Sequence, residues 1–267
     1  KDAQSLSLLN IFLLKVMRAT LSEVSDSTYR RRMLSDKKIL ITGVTGQIGF
    51  PIARFLSNDN EVWGVARFTN KRKKQYLEEA GIQLFELDLN SNEYGKLPTD
   101  FDHVVHFAVF QGQESDYDLA ISNNAEATGL LMQHCHNAKS VLVASTNSVY
   151  KPNADPWYLH RETDPLGDST VTHSPTYGVS KIGQEAVART MSRVLDLPTT
   201  IARINVSYGD NGGLPKYHFD SVAADKPVIL RDSPPSPYSP IHEIDMANQV
   251  APLLEAASVP STIVNWC

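Results

Sequence analysis

Between the apolar triplet Ile39-Leu40-Ile41 and the amphipathic stretch Ile48 to Leu56 lies Thr42-Gly43-Val44-Thr45-Gly46-Gln47-Ile48-Gly49, a turn whose glycines are spaced three and three. A strand that runs through such a turn into a helix opens a βαβ unit. Glycines there let backbone N–H groups approach an anion, and the helix N-terminus adds about half a positive charge. The turn therefore reads as a cradle for a pyrophosphate. Downstream, apolar runs at Glu61 to Phe68, Ile82 to Leu87, His103 to Phe107, Ser140 to Ala144 and Thr199 to Ile204 alternate with helical stretches at Asn70 to Ala80, Asn123 to Asn137 and Tyr177 to Leu195. Continuous Val/Ile/Leu runs suit strands covered on both faces, and their alternation with helices gives a parallel sheet closed by right-handed crossovers. The expected fold class is α/β, with a doubly wound parallel sheet.

Composition narrows the partners. The chain has 267 residues, of which 42% are hydrophobic, enough for one large domain or two small ones. Its 25 lysines and arginines face 30 aspartates and glutamates, and a net charge of -5 is the wrong sign for drawing in phosphate backbones, so nucleic acid is not expected as a partner. Cys135 and Cys267 are too few for a disulfide framework or a four-cysteine metal site, which points to a reducing compartment and a cytoplasmic location. The run Leu8 to Leu14, broken by Asn10, falls short of the roughly 20 residues of a membrane helix, so no span is expected. Leu6, Leu9, Leu13, Met17 and Leu21 fall on one face of a helix, making residues 1–36 an amphipathic leader that packs on its own domain or docks on a partner subunit. Asp232 to Pro240 is a proline-rich loop.

Arg67 stands 18 residues beyond Gly49, where an acid would hold a ribose 2′-hydroxyl; a cation suits a 2′-phosphate, so NADP is the preferred cofactor, with NAD as the alternative. Lys71 to Lys74 either reinforce that site or form a solvated helix face. Tyr177 and Lys181 lie four apart on one helical face, where an ammonium can help a tyrosine, ordinarily titrating near 10, to act as a base. Ser145 and Thr146 place hydroxyls at the carboxyl edge of the sheet, where open α/β folds bind ligands. His134-Cys135-His136 point in different directions on a helix, and His103 and His106 lie on opposite strand faces, so no metal site is expected and the histidines read as satisfied polar contacts.

Together these motifs resemble the extended short-chain dehydrogenase/reductases, also described as the NAD-dependent epimerase/dehydratase family, over roughly Lys37 to Cys267. The resemblance implies a Rossmann sheet in which Gly43, Gly46 and Gly49 bind pyrophosphate, with Gln47 and Ile48 giving backbone contacts. It further implies cofactor contacts from Asp88, Leu89, Phe107, Ala108 and Asn205. Thr146, Tyr177 and Lys181 become the catalytic set, Ser145 and Val206 substrate contacts, and Asn124 the asparagine that opens a helix. Tyr238 stands where nucleotide-sugar members carry an arginine on the substrate diphosphate, with Arg231 able to reach in, and the lobe ending at Thr262 to Cys267 is expected to be truncated or unusually small.

The organisation expected is a leader at 1–36, a dinucleotide-binding domain at 37–205, and substrate-lobe segments at 206–267 that return to the sheet near 241–267. The leading functional expectation is an NAD(P)-dependent oxidoreductase moving hydride between nicotinamide and a secondary alcohol or ketone of a small molecule. A nucleotide-sugar epimerase or dehydratase with tightly held cofactor comes second, and a cofactor-binding structural subunit third. A homodimer through the helix of Tyr177 follows from the resemblance alone.

Overall fold

The computed structural model describes residues 34–91, 93–112, 116–168, 174–228, 235 and 237–267. The leader up to residue 33 and Arg231 lie outside them. Residues Leu34–Cys267 form one compact unit.

Seven strands make one parallel sheet in the order β3-β2-β1-β4-β5-β6-β9. They are β1 (Lys38–Thr42), β2 (Glu61–Ala66), β3 (Gln83–Glu86), β4 (His103–His106), β5 (Ser140–Thr146), β6 (Thr199–Ile204) and β9 (Thr262–Trp266). The period of the strand sends alternate residues into separate cores. Ile39, Ile41, Leu142, Ala144 and Ala202 join one, packed by α1 (Gly49–Leu56), α2 (Lys71–Glu79) and α7 (Glu243–Glu255). Leu40, Val141, Val143 and Ile201 join the other, under α4 (Ala127–His134) and α5 (Tyr177–Leu195). Burial on both faces is why these strands read as unbroken apolar runs, and it gives the doubly wound sheet expected from them.

The strand order reverses at β1, which pairs with β2 on one side and β4 on the other. Adjacent crossovers there leave opposite faces of the sheet, so a crevice opens beyond the carboxyl ends of β1 and β4. The helix expected at Asn123 to Asn137 starts earlier and in pieces: α3 (Tyr117–Ile121), capped by the Asp116 carboxylate accepting from Leu119 N, a π-helical turn over Ser122–Glu126, and then α4. Beyond β6, β7 (Val206–Tyr208) pairs in parallel with β8 (Pro240–His242), and α6 (Leu214–Ala223) packs on β7.

Candidate active site

The glycine turn is built for close approach. Gly43 sits at φ +66°, and a Cβ there would come within 2.6 Å of Ala108 N; a Cβ on Gly49 would strike the Gly43 carbonyl oxygen. The turn thus packs backbone on backbone against the end of β4. A buried chain of hydrogen bonds fixes that end: Ala108 N donates to Thr42 Oγ1 (3.2 Å), Thr42 Oγ1 meets His106 Nδ1 (2.6 Å), and His106 Nε2 meets Thr128 Oγ1 (2.8 Å). Thr128 spends its one proton on Asn124 O at 2.7 Å, so Nε2 carries the imidazole proton and Nδ1 accepts from Thr42. Burial, aided by the Lys181 ammonium, pushes His106 down to about 3 and keeps the ring neutral. His103 meets Ser140 Oγ at 2.9 Å, so both histidines make the polar contacts expected of them.

The turn is also tied to the far end of the chain. Gln47 Nε2 donates to Ser207 O (3.0 Å) and Ser207 Oγ (2.9 Å). Asn211 Nδ2 donates to Gly46 O (3.0 Å) and Gln47 O (2.8 Å).

Two cavities flank the turn and share Gly43, Gly46, Phe107 and Val109. The first, about 220 Å³, lies at the carboxyl ends of β2 and β3 and is lined by Arg67, Phe68, Thr69, Asp88, Leu89 and Ala108 among others. Arg67 and Asp88 are exposed at its mouth, and Lys73 on α2 donates to Thr45 O at 3.0 Å. The second, about 240 Å³, lies at the ends of β5 and β6 and is lined by Gln47, Ile48, Thr146, Tyr177, Lys181, Asn205 and Ser207 among others. Two chambers joined over a glycine turn match the two halves of a dinucleotide bridged by its pyrophosphate. In the second chamber Asn205 Oδ1 is buried and has no hydrogen-bond partner among the described residues, an acceptor suited to a ribose hydroxyl or a carboxamide.

Thr146 ends β5 and Tyr177 begins α5, which brings the two hydroxyl groups together. Burial pushes the Tyr177 phenol above its ordinary value, and its hydrogen bond with the Thr146 side chain works against that. Lys181 is 2% exposed, and its ammonium donates to Ala144 O at 2.6 Å. Burial lowers it to about 7, while the Glu185 carboxylate opposes the shift. The sequence places Lys181 as the group that tunes Tyr177; in the structure Tyr177 is hydrogen-bonded to the Thr146 side chain, and the Lys181 ammonium donates to the Ala144 carbonyl.

Ser145 lines the second chamber, is 3% exposed, and its hydroxyl donates to Glu185 Oε1 at 2.6 Å. Val206 lines a separate apolar cavity with Leu214, Phe219 and Tyr238, while its neighbour Ser207 lines the catalytic chamber, because successive residues of β7 face opposite sides. Thr45, Thr69, Val109, Gln111 and Ser207 line the chambers without having been singled out from sequence. No sequence signal marks them; β7, which carries Ser207, is three residues long.

The model of the NAD dependent epimerase/dehydratase family matches residues 39–231. The chain belongs to that family of enzymes. The match spans the glycine turn, both chambers and the Thr146–Tyr177–Lys181 set. Solved structures agree on the fold. A UDP-N-acetylglucosamine 4-epimerase from Methanobrevibacter ruminantium M1, in complex with UDP-N-acetylmuramic acid, is 18% identical over 88% of this chain and 77% of that one, with a TM-score of 0.75. A UDP-glucuronic acid 4-epimerase from Bacillus cereus, in complex with UDP-glucuronic acid and NAD, is 24% identical over 85% and 76%, with a TM-score of 0.71. A dTDP-glucose 4,6-dehydratase double mutant, DesIV from Streptomyces venezuelae, with NAD and DAU bound, is 21% identical over 85% and 74%, with a TM-score of 0.73. No curated protein matches the sequence. Among the described residues no helix is long and apolar enough to cross a membrane.

Proposed function

We propose that the protein is a nicotinamide-dinucleotide-dependent epimerase acting at a secondary carbinol carbon of a nucleotide sugar. The observation that carries this is a chamber with one proton-transfer pair, Thr146 and Tyr177, at its floor and no aspartate, glutamate or histidine among its described lining residues. Removing and restoring hydrogen at one carbinol needs one group that takes the hydroxyl proton and gives it back. Dehydration needs more, an acid for the departing hydroxyl and a base for the neighbouring carbon. The family and the structural relatives that act on nucleotide sugars support this internal redox cycle over the net oxidoreduction that the sequence puts first.

The residues present fit the cofactor: the glycine turn leaves no room for a Cβ, and Asn205 Oδ1 awaits a donor. When bound, the nicotinamide supplies the hydride acceptor and donor. Gly43, Gly46 and Gly49 would hold the pyrophosphate, and Asn205 and Lys181, which line the second chamber, would hold the nicotinamide half. With its phenol raised by burial, Tyr177 rests protonated at neutral pH and can give that proton to a carbonyl oxygen. In the other direction it takes the proton back, and the Thr146 hydroxyl stabilises the phenolate. Arg67 at the mouth of the first chamber, where an acid would favour NAD, supports NADP as the preferred form.

Tyr238, in the place where the resemblance puts a diphosphate-binding arginine, lines an apolar cavity with Leu214, Pro215 and Phe219 and favours a second reading, oxidoreduction of a small alcohol or ketone. Two measurements test the cofactor and then separate the readings. Calorimetric titration of NADPH and NADH, repeated on Arg67→Asp, should show tighter NADPH binding that reverses in the variant; equal binding removes the NADP preference, and no binding removes the enzyme reading. Proton NMR of UDP-N-acetylglucosamine and UDP-glucuronic acid incubated with the loaded protein should then show the 4-epimer without reduced cofactor accumulating. Accumulation of reduced cofactor with simple secondary alcohols, and no epimer, would establish the second reading.

A further inference from the structure

The last residues of β5 meet one ridge of α5 in register. Tyr177, Lys181 and Glu185 are spaced four apart along the helix, so they stack on one face. Opposite them, Thr146 bonds to Tyr177, the Ala144 carbonyl accepts from Lys181 Nζ at 2.6 Å, and Ser145 Oγ donates to Glu185 Oε1 at 2.6 Å. The ridge therefore has a third member beyond the two residues that the family pattern marks.

Glu185 is 3% exposed and is held on both oxygens. Arg203 on β6, itself 3% exposed, donates from Nε to Oε1 at 2.9 Å and from Nη2 to Oε2 at 2.7 Å, and its third nitrogen donates to Glu162 O at 3.0 Å. A carboxylate fixed in this way cannot turn aside. It sits one helical turn from a buried ammonium whose hydrogen bond goes to a neutral carbonyl. The titratable and charged groups facing Lys181 are Tyr177 and Glu185 on α5, His106 on β4, and Arg203 on β6 behind Glu185; α4 and the π-helical turn present the neutral Thr128 and Asn124. His106 is held uncharged between two threonines, so Glu185 is the anion available to Lys181 among these groups.

We propose that Glu185 is a positioning residue of the candidate catalytic set: braced by Ser145 and Arg203, its carboxylate favours the protonated form of Lys181 and holds that side chain against the Ala144 carbonyl. The proposal rests on the reading of Lys181 as part of that set. It makes Ser145, one residue before the catalytic threonine, the brace of the brace.

The test titrates Lys181 directly in the cofactor-free protein, using ε-13C-lysine NMR with Lys181→Met to assign the resonance. Glu185→Gln should move the midpoint from about 7 to lower pH, by about one unit as expected for loss of a near opposite charge. Ser145→Ala, which removes one brace of the same carboxylate and no charge, should move it in the same direction by less. A merely structural role predicts no movement in either variant, and that result in folded protein overturns the proposal. Should Glu185→Gln fail to fold, Ser145→Ala decides alone: a downward move supports the proposal and an unmoved midpoint ends it. Because no cofactor is present, this outcome is independent of whether NADPH or NADH binds.

Discussion

Replacing Lys181 with methionine should make the protein more stable at neutral pH while removing its activity. The lysine titrates at 10.5 in an open chain and at about 7 in its buried place, so between those values the unfolded state holds a proton that the folded state lacks. Each unit is worth about 1.4 kcal/mol, and at pH 7 the unfolded chain is favoured by about 4 kcal/mol through this one group. Methionine has a similar shape and no charge. It forfeits the bond to Ala144 O, worth about 1 kcal/mol, leaving a gain of about 3 kcal/mol, or roughly 6–12 °C in Tm for a domain of this size. The pH dependence is the sharper signature. A base depressed on folding makes native stability rise as pH climbs from the folded to the unfolded value, so the wild-type protein should gain on the variant across that window. Urea denaturation of both proteins from pH 7 to 10 would show the gap closing to near zero at the top. A variant less stable at pH 7, or a gap that does not change with pH, would refute the claim that the lysine is held against its own desolvation.

Tyr177→Phe should cost turnover about 10²–10⁴-fold, the range for a lost proton-transfer group, while calorimetry shows cofactor affinity unchanged; weaker cofactor binding would move the residue out of the proton-transfer role. Gly43→Ala drives a methyl into Ala108 N and strains a positive φ, so we expect at least about 1–3 kcal/mol of destabilisation together with lost NADPH binding, read by thermal melts and titration. Arg203→Met strands the Glu185 carboxylate and should cost about 3–5 kcal/mol in urea denaturation, whereas Glu185→Leu with Arg203→Met should recover most of it. A double variant as unstable as the single would mean that packing, not charge, carries the effect.

The sheet was legible because β1, β5 and β6 are buried on both faces and leave unbroken apolar runs, and because each is followed or preceded by a helix of clear period. The glycine turn was legible for the same reason that it works, since backbone packed on backbone admits only that residue at Gly43 and Gly49. What stayed hidden depends on direction. Ser145 and Thr146 are neighbours with like hydroxyls, yet the strand turns one toward Glu185 and the other toward Tyr177, and nothing in the pair itself says which is which. Val206 and Ser207 exchange roles through the same alternation on a strand of three residues, too short to leave a pattern. The Asp116 cap that starts α3 acts through one carboxylate-to-backbone bond, a local signal outweighed by the apolar run that begins later. Glu185 and Arg203 come together only because β6 lies beside β5 in the sheet.

The bonds from Gln47 and Asn211 across to each other's segments bear on how this protein can be re-engineered. A fragment ending at Ile204 would keep every strand through β6 and still strip Gly46 O and Gln47 O of the amide that Asn211 donates to them. The cofactor half is thus no detachable cassette. A chimera that swaps in another substrate lobe inherits the task of supplying two small polar side chains at the positions of Ser207 and Asn211, or its glycine turn will start from a looser shape before any dinucleotide arrives.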